Sequence, residues 1–229
     1  MPADPRDVIP PGLIVSCQAY PGEPMRDPAV MTAVARAVEE GGAVAVRGQG
    51  LDDLRGMVAA LTVPVVGLVK QGDEGVYITP ALDLARAVAD LGCQVVALDG
   101  TRRPRPDGLT LAETVAGLRE THDVLTMADC GSLDDALAAV HAGCDIVGTT
   151  LAGYTGERPP TEGPDWELLE QVVAEVDRPV VAEGRFRTPD EVARALDLGA
   201  HAVCVGTAIT HPTSITRAFV AALPTAGRG

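Results

Sequence analysis

Aromatic residues are scarce, with one Trp, three Tyr and two Phe in 229 residues, although hydrophobic residues as a whole make up 46%. A core this poor in rings must be built from Val, Ala, Leu and Ile, as parallel-strand and helix layers are, which disfavours a β-sandwich. Basic residues are also few, 18 Lys and Arg against 32 Asp and Glu for a formal net charge of −14, and no basic stripe runs along any segment. That pattern excludes a phosphate-backbone partner, so nucleic acid is not expected. It does not exclude an anionic metabolite, because a few arginines and main-chain amides set the field inside a pocket. No apolar run approaches the roughly 18 residues of a bilayer span, and the N-terminus lacks a basic region followed by an apolar stretch, so the expectation is no membrane partner and a cytoplasmic location. The five cysteines, Cys17, Cys93, Cys130, Cys144 and Cys204, are odd in number and scattered, without a C-x-x-C pair, and read as reduced core residues. Nucleotide loops are missing too. Ser16-Cys17-Gln18-Ala19 contains no glycine, the G-x-G of Gly48 and Gly50 lacks its third member, and no P-loop pattern occurs.

What the chain does contain is repetition. Short apolar runs recur at Leu13 to Cys17, Ala43 to Val46, Val65 to Val69, Val95 to Leu98, Val124 to Ala128, Asp145 to Gly148, Pro179 to Ala182 and Ala202 to Val205, eight in all. Between them lie helix-like stretches such as Thr79 to Leu91, Leu133 to Ala142 and Pro189 to Leu198, with apolar positions three and four apart. Thr79-Pro80, Ser132-Leu133 and Thr188-Pro189 read as helix starts, with a hydroxyl to accept from the first amides. Gly41-Gly42, Gly92, Gly143 and Gly199 read as helix stops before the next strand. Eight strands alternating with helices, the last from Pro212 to Leu223, predict an α/β fold: a single (β/α)8 TIM barrel over residues 1–229, with 1–11 as an N-terminal extension. An open doubly wound sheet is the alternative. The polar stretch from Tyr154 to Pro164, after the sixth strand, is a candidate lid at the barrel mouth.

Chemistry in such a barrel sits at the C-terminal ends of the strands. The residues that close the apolar runs are Gln18, Arg47, Lys70, Asp99, Asp129, Thr149 with Thr150, Glu183, and Gly206 with Thr207. So many charges converging on one mouth point to a polar ligand, since buried charges persist mainly when paired. Gly184 and Gly206, after strands seven and eight, suit close backbone approach to a phosphate, with Arg185 and Arg187 as nearby cations. No metal is expected: His122, His141, His201 and His211 fall on helix ends or in the eighth strand and its loop rather than on converging strand ends. A Ser nucleophile elbow is also absent.

Read in order, G-L-I-V-S-C-Q-A (Gly12 to Ala19), G-G-A-V-A-V-R (Gly41 to Arg47), P-V-V-G-L-V-K (Pro64 to Lys70), V-A-L-D-G-T (Val96 to Thr101), M-A-D-C (Met127 to Cys130), I-V-G-T-T-L-A-G-Y-T (Ile146 to Thr155), V-A-E-G-R (Val181 to Arg185) and V-G-T-A-I-T (Val205 to Thr210) form one ordered set. The chain resembles the N-acetylmannosamine-6-phosphate 2-epimerases from about Gly12 to its last helix. The resemblance implies cofactor-independent interconversion of N-acetylmannosamine 6-phosphate and N-acetylglucosamine 6-phosphate, with inversion at the acetamido-bearing carbon, in sialic acid or amino-sugar breakdown. It places the catalytic roles on Lys70 and Glu183 and substrate holding on Gln18, Arg47 and Asp129, and it implies a homodimer. Thr150, Gly184, Arg185, Gly206, Thr207 and His211 complete the expected substrate site. Two departures stand out. The family's A-I-T-R after strand eight is Ala208-Ile209-Thr210-His211 here, which makes His211, Arg185 or Arg187 the expected phosphate cation. After Lys70 the family's R-D is replaced by Gln71-Gly72-Asp73 in a shortened loop. The competing readings are another sugar-phosphate isomerase on the same fold and a non-catalytic sugar-phosphate sensor.

Overall fold

The structure is a computed structural model and describes residues 4–224. A short helix α1 (Pro5–Val8) precedes eight parallel strands: β1 (Gly12–Cys17), β2 (Ala45–Gln49), β3 (Val65–Leu68), β4 (Val95–Asp99), β5 (Leu125–Asp129), β6 (Ile146–Gly148), β7 (Val180–Glu183) and β8 (Ala202–Val205). They pair in sequence order and close where β8 meets β1. Helices α2 (Pro28–Glu40), α3 (Leu51–Ala60), α4 (Leu82–Asp90), α5 (Leu111–Arg119), α6 (Leu133–His141), α7 (Trp166–Glu175) and α8 (Pro189–Asp197) follow the first seven strands in turn. The eighth is followed by α9 (Thr207–Thr210) and α10 (Pro212–Ala221). This is the expected (β/α)8 barrel.

The helix stops behave as their glycines require: Gly42, Gly92, Gly143 and Gly199 all take a positive φ, near 90–100°, that a side chain resists. Ser132 and Thr188 cap α6 and α8 through their hydroxyls, the latter in a reciprocal capping box with Glu191. The start of α4 differs from the sequence reading. Its N-cap is Ala81, and Thr79 is instead fully buried with φ 42°, its hydroxyl accepting from the Val69 amide at 3.2 Å. The reason is tertiary. Ile78 wedges between the splayed ends of β3 and β4, bridging Lys70 on one side and accepting from the Asp99 amide at 2.9 Å on the other.

Two apolar layers follow from the alternation of side chains along each strand. Val15, Val46, Val65, Val96, Ala128, Val147, Ala182 and Val203 face outward into the helix ring. Ile14, Ala45, Val66, Leu68, Ala97, Met127, Ile146, Val181 and Cys204 face into the barrel. The expected N-terminal extension contributes to this inner layer: Ile9 is 1% exposed and packs with it, closing the N-terminal end, where the His201 ring lies 2.6 Å from the Ile9 carbonyl.

Candidate active site

The inner layer places the site by period-two counting. Two residues beyond inward-facing Ala45, Leu68, Ala97, Met127 and Val181 stand Arg47, Lys70, Asp99, Asp129 and Glu183, all at the C-terminal mouth. On β6 the same step from Ile146 reaches Gly148 and then Thr150. Gly148 leaves room for this chemistry, since a Cβ there would come within 2.6 Å of Met127 and 3.4 Å of Asp129 Oδ1. The mouth therefore holds three carboxylates, Asp99, Asp129 and Glu183, and on the same inward face the cations Arg47 and Lys70.

Arg47 is the centre of the cluster. It is 1% exposed and meets Asp129 with both amino groups, at 3.1 Å to Oδ1 and 2.6 Å to Oδ2, while the first of these lies 3.2 Å from Glu183 Oε2. Such a forked pair is among the stronger charge-assisted contacts. Burial alone would lower the Arg47 pKa, and its two carboxylate partners more than offset this and raise it, so it is permanently cationic. Thr150 Oγ1 lies 2.6 Å from Asp129 Oδ1 and 3.1 Å from Glu183 Oε2. Burial pushes Glu183 above the usual carboxylate range against the opposing pull of Arg47. Lys70 stands two residues beyond β3 with its surface exposed at the mouth, and desolvation, then the nearby Arg47 charge, hold it below the usual lysine value. An acid of raised pKa and a base of lowered pKa in one mouth form a proton-transfer arrangement.

The thiols offer no competing nucleophile. All five are free and buried, and burial raises Cys17, Cys93 and Cys144 to about 12. Among the described residues no cluster of His, Cys, Asp or Glu could hold a metal ion.

With this geometry in place, the comparisons with known proteins are decisive. Residues 31–225 match the family model described as "Putative N-acetylmannosamine-6-phosphate epimerase". The chain belongs to that family. A Cutibacterium acnes protein bearing the matching 2-epimerase name is 63% identical over 214 residues, 93% of each chain. One from Caldanaerobacter subterraneus is 45% identical over 91% of this chain and 90% of its own. The solved N-acetylmannosamine-6-phosphate 2-epimerase from Clostridium perfringens superposes with a TM-score of 0.90 at 39% identity, covering 95% of both chains.

The remaining expected epimerase positions divide into two groups. Gln18 sits at the top of β1, its amide donating to Ser16 Oγ at 2.9 Å. Gly184, Gly206 and Thr207 line the mouth after β7 and β8, and the main-chain N–H groups of Gly184, Arg185, Gly206 and Thr207 donate to no acceptor among the described residues. The expected phosphate cations have other partners. Arg185, held at φ 61°, donates to the carbonyls of Gly163 and Ala152 at 2.9 and 2.8 Å and to Thr161 Oγ1 at 2.9 Å, and its guanidinium lies 5.5 Å from the Tyr154 ring. Arg187 is exposed. His211 is 5% exposed, 3.2 Å from Glu23 Oε2 and edge-on to Tyr20 at 4.7 Å, tying the loop after β8 to the loop after β1. The Tyr154 to Pro164 segment is clamped rather than loose: Arg185 holds its base, Arg102 takes Glu157 and Arg158 takes Asp165.

Sequence reasoning passed over Gln49, which shares the inward face of Arg47 and is 7% exposed, and Arg103, whose guanidinium lies 2.9 Å from Asp99. The alternation along β2 could have found the first. No sequence signal separates Arg103 from its neighbours Arg102 and Arg105.

Proposed function

We propose that this protein interconverts N-acetylmannosamine 6-phosphate and N-acetylglucosamine 6-phosphate by removing the proton at the acetamido-bearing carbon and returning it on the opposite face. The observation that carries the reading is the presence of Lys70 and Glu183 at the same mouth as the Arg47–Asp129 fork, in a member of the epimerase family. The proton beside an aldehyde is acidic only through an enolate, so the reaction needs a base, a means of holding the oxyanion and a second proton donor. Neutral Lys70 serves as the base, and its lowered pKa increases the neutral fraction. Glu183 serves the other face. Thr150 has one hydroxyl hydrogen, and Asp129, at the shorter distance, takes it; the 3.1 Å contact to Glu183 is then a hydrogen bond when Glu183 carries a proton. A Glu183 of raised pKa is that proton donor. Arg47, anchored by Asp129, supplies fixed positive charge for the developing oxyanion.

The unpaired amides of Gly184, Arg185, Gly206 and Thr207 form the phosphate cradle in this reading; those of the half-buried Gly184, Arg185 and Gly206 demand an acceptor, and that of the exposed Thr207 extends the row. His211 supports that cradle by holding its loop to Glu23, and Gln18 orients the sugar. Five buried free thiols suit a reducing cytoplasm, where we place the reaction. Among the described residues no helix is long and apolar enough to cross a membrane.

A homodimer belongs to the same proposal. α10 has no buried residue, and Phe219, Val220 and Leu223 at its end are 74%, 60% and 65% exposed, an apolar face that a second copy would cover. Phe219→Glu is expected to shift the protein to monomer in sedimentation equilibrium, and an unchanged oligomer would remove this part.

The activity is tested by incubating the protein with N-acetylmannosamine 6-phosphate in D2O, without added metal or nucleotide, and following the proton at the acetamido-bearing carbon by NMR. The expected result is epimer carrying solvent deuterium at that carbon. Absence of both product and exchange would overturn the reading.

A further inference from the structure

The run after β4, Thr101-Arg102-Arg103-Pro104-Arg105, holds three arginines whose partners differ. Arg102 faces outward, half-exposed, among Asp134, Asp135 and Glu157 at 2.9 to 3.3 Å. Arg105 is buried and ties loops together, donating to the carbonyls of Asp99 at 2.9 Å and Thr79 at 2.7 Å. Arg103 is neither a surface charge nor a staple. Its Nε donates to Thr101 Oγ1 and its NH2 group to Asp99 Oδ2, both at 2.9 Å, while NH1 makes no hydrogen bond among the described residues.

The anchor is rigid. Asp99 is 0% exposed, faces into the barrel beside its register partner Asp129, and accepts at its other oxygen from both the amide and the hydroxyl of Thr101, at 3.1 and 2.6 Å. A guanidinium held on two sides, with one donor group left open, is preorganised for a further acceptor. Its side chain is 26% exposed, so it is not sealed from solvent.

The strand order says what part of a substrate would reach it. In a ring of eight, β4 lies across from β8, which carries the loop of unpaired amides at Gly206 and Thr207. If phosphate is held on the β7–β8 side and the reacting carbon lies between Lys70 and Glu183, the substituent on that carbon is directed to the β4 wall. We infer that Arg103 is a specificity-determining residue whose open NH1 donates to the carbonyl oxygen of the substrate's acetamido group. This rests on the epimerase reading above. An acetamide offers a neutral acceptor to the guanidinium. A free amine at the same carbon would be an ammonium near neutral pH and would be repelled, and a hydrogen there would offer nothing.

The test is titration calorimetry of wild type, Arg103→Met and Arg103→Lys with N-acetylglucosamine 6-phosphate and with 2-deoxyglucose 6-phosphate, which shares the phosphate but has no substituent at the reacting carbon. Wild type is expected to prefer the acetylated sugar by about tenfold or more, the range of a hydrogen bond to a charged group. Arg103→Met should lose most of that preference while its affinity for 2-deoxyglucose 6-phosphate stays within about twofold, and Arg103→Lys should keep part of it. An unchanged preference in Arg103→Met overturns the inference, as does an equal loss for both sugars, which would mark a purely structural role through Asp99. Should Arg103→Met fail to fold, the Lys variant decides by the same ratio. Failure of wild type in the deuterium experiment would refute the epimerase reading itself, whereas wild-type turnover with an unshifted preference in the variants refutes only the role of Arg103.

Discussion

At the N-terminal end of the barrel the inward positions are Ile14, Ala45, Val66, Val95, Leu125 and Ile146, sealed by Ile9. A few residues further along the same strands they are Arg47, Lys70, Asp99, Asp129 and Glu183. Strand pairing and alternation are the same at both ends, so the difference lies wholly in side-chain chemistry. The apolar end contributes stability by burial, at about 25 cal/mol per Å² removed from water. The charged end contributes little net stability, because desolvation of its ions consumes most of the Coulomb gain, and it is held together by mutual pairing. Cavity volume is a poor guide to which end does chemistry. A depression of about 580 Å³ lies at the N-terminal end, lined by Arg6, Arg178, His201 and apolar residues, without the cluster of buried carboxylates and cations found at the mouth.

This comparison can be broken at either end. Lys70→Ala should leave the fold intact and cost about a thousandfold in turnover, the range for loss of a general base, with N-acetylglucosamine 6-phosphate still binding in calorimetry; near-normal turnover would remove Lys70 from the mechanism. Arg47→Met leaves Asp129 and Glu183 buried without their shared cation and should destabilise by about 3–5 kcal/mol in urea unfolding. The sign of its pH dependence follows. Burial already raises Glu183 and Arg47 is the main pull against it, so without Arg47 its folded pKa lies further above the unfolded one; stability from such a group is present at low pH and lost as pH rises, so the deficit should be larger at pH 8 than at pH 5. A deficit independent of pH would mean that the cost is packing rather than stranded charge.

At the apolar end, Ile9→Ala should cost about 2 kcal/mol, the low side of the range for large-to-small core changes because a chain-terminal segment can relax, and should leave kcat/KM unchanged at temperatures where the protein is folded. A loss of activity in the folded variant would show that the two ends are coupled. The smallest effect concerns the pH profile of wild type. With Lys70 lowered and Glu183 raised, kcat/KM should be bell-shaped, both limbs lying between about 4.3 and 10.4 and changing about tenfold per pH unit. Glu183→Gln should remove one limb, and retention of both would assign the second ionisation elsewhere.

Much of this was legible in one dimension because barrel strands repeat a simple rule. Apolar runs ended by a polar residue located Lys70, Asp129 and Glu183, and glycines with positive φ marked the helix ends, since only local backbone geometry is involved. Arg47 was found as a strand end, although β2 runs on to Gln49; the run was started two residues early because Ala43 looks like strand and lies in the connection before it. Thr79 was misplaced because Thr-Pro before an apolar helix has the local signature of a cap, while the wedge of Ile78 between β3 and β4 is a long-range fact. Arg185 and His211 were assigned to phosphate on position alone, and position does not reveal that loop carbonyls and Glu23 already engage them.

The sequence by itself determined the barrel, its strand count and the charged residues, Lys70 and Glu183 among them, that end or follow its strands, because these depend on periodicity and on residue type at strand ends. Only the tertiary structure decided which charges meet. Arg47 is separated from Asp129 by 82 positions and from Glu183 by more, and barrel closure brings all three within hydrogen-bonding distance. It also decided which of three neighbouring arginines keeps an open donor. That depends on where a buried carboxylate stands, and no local pattern encodes it.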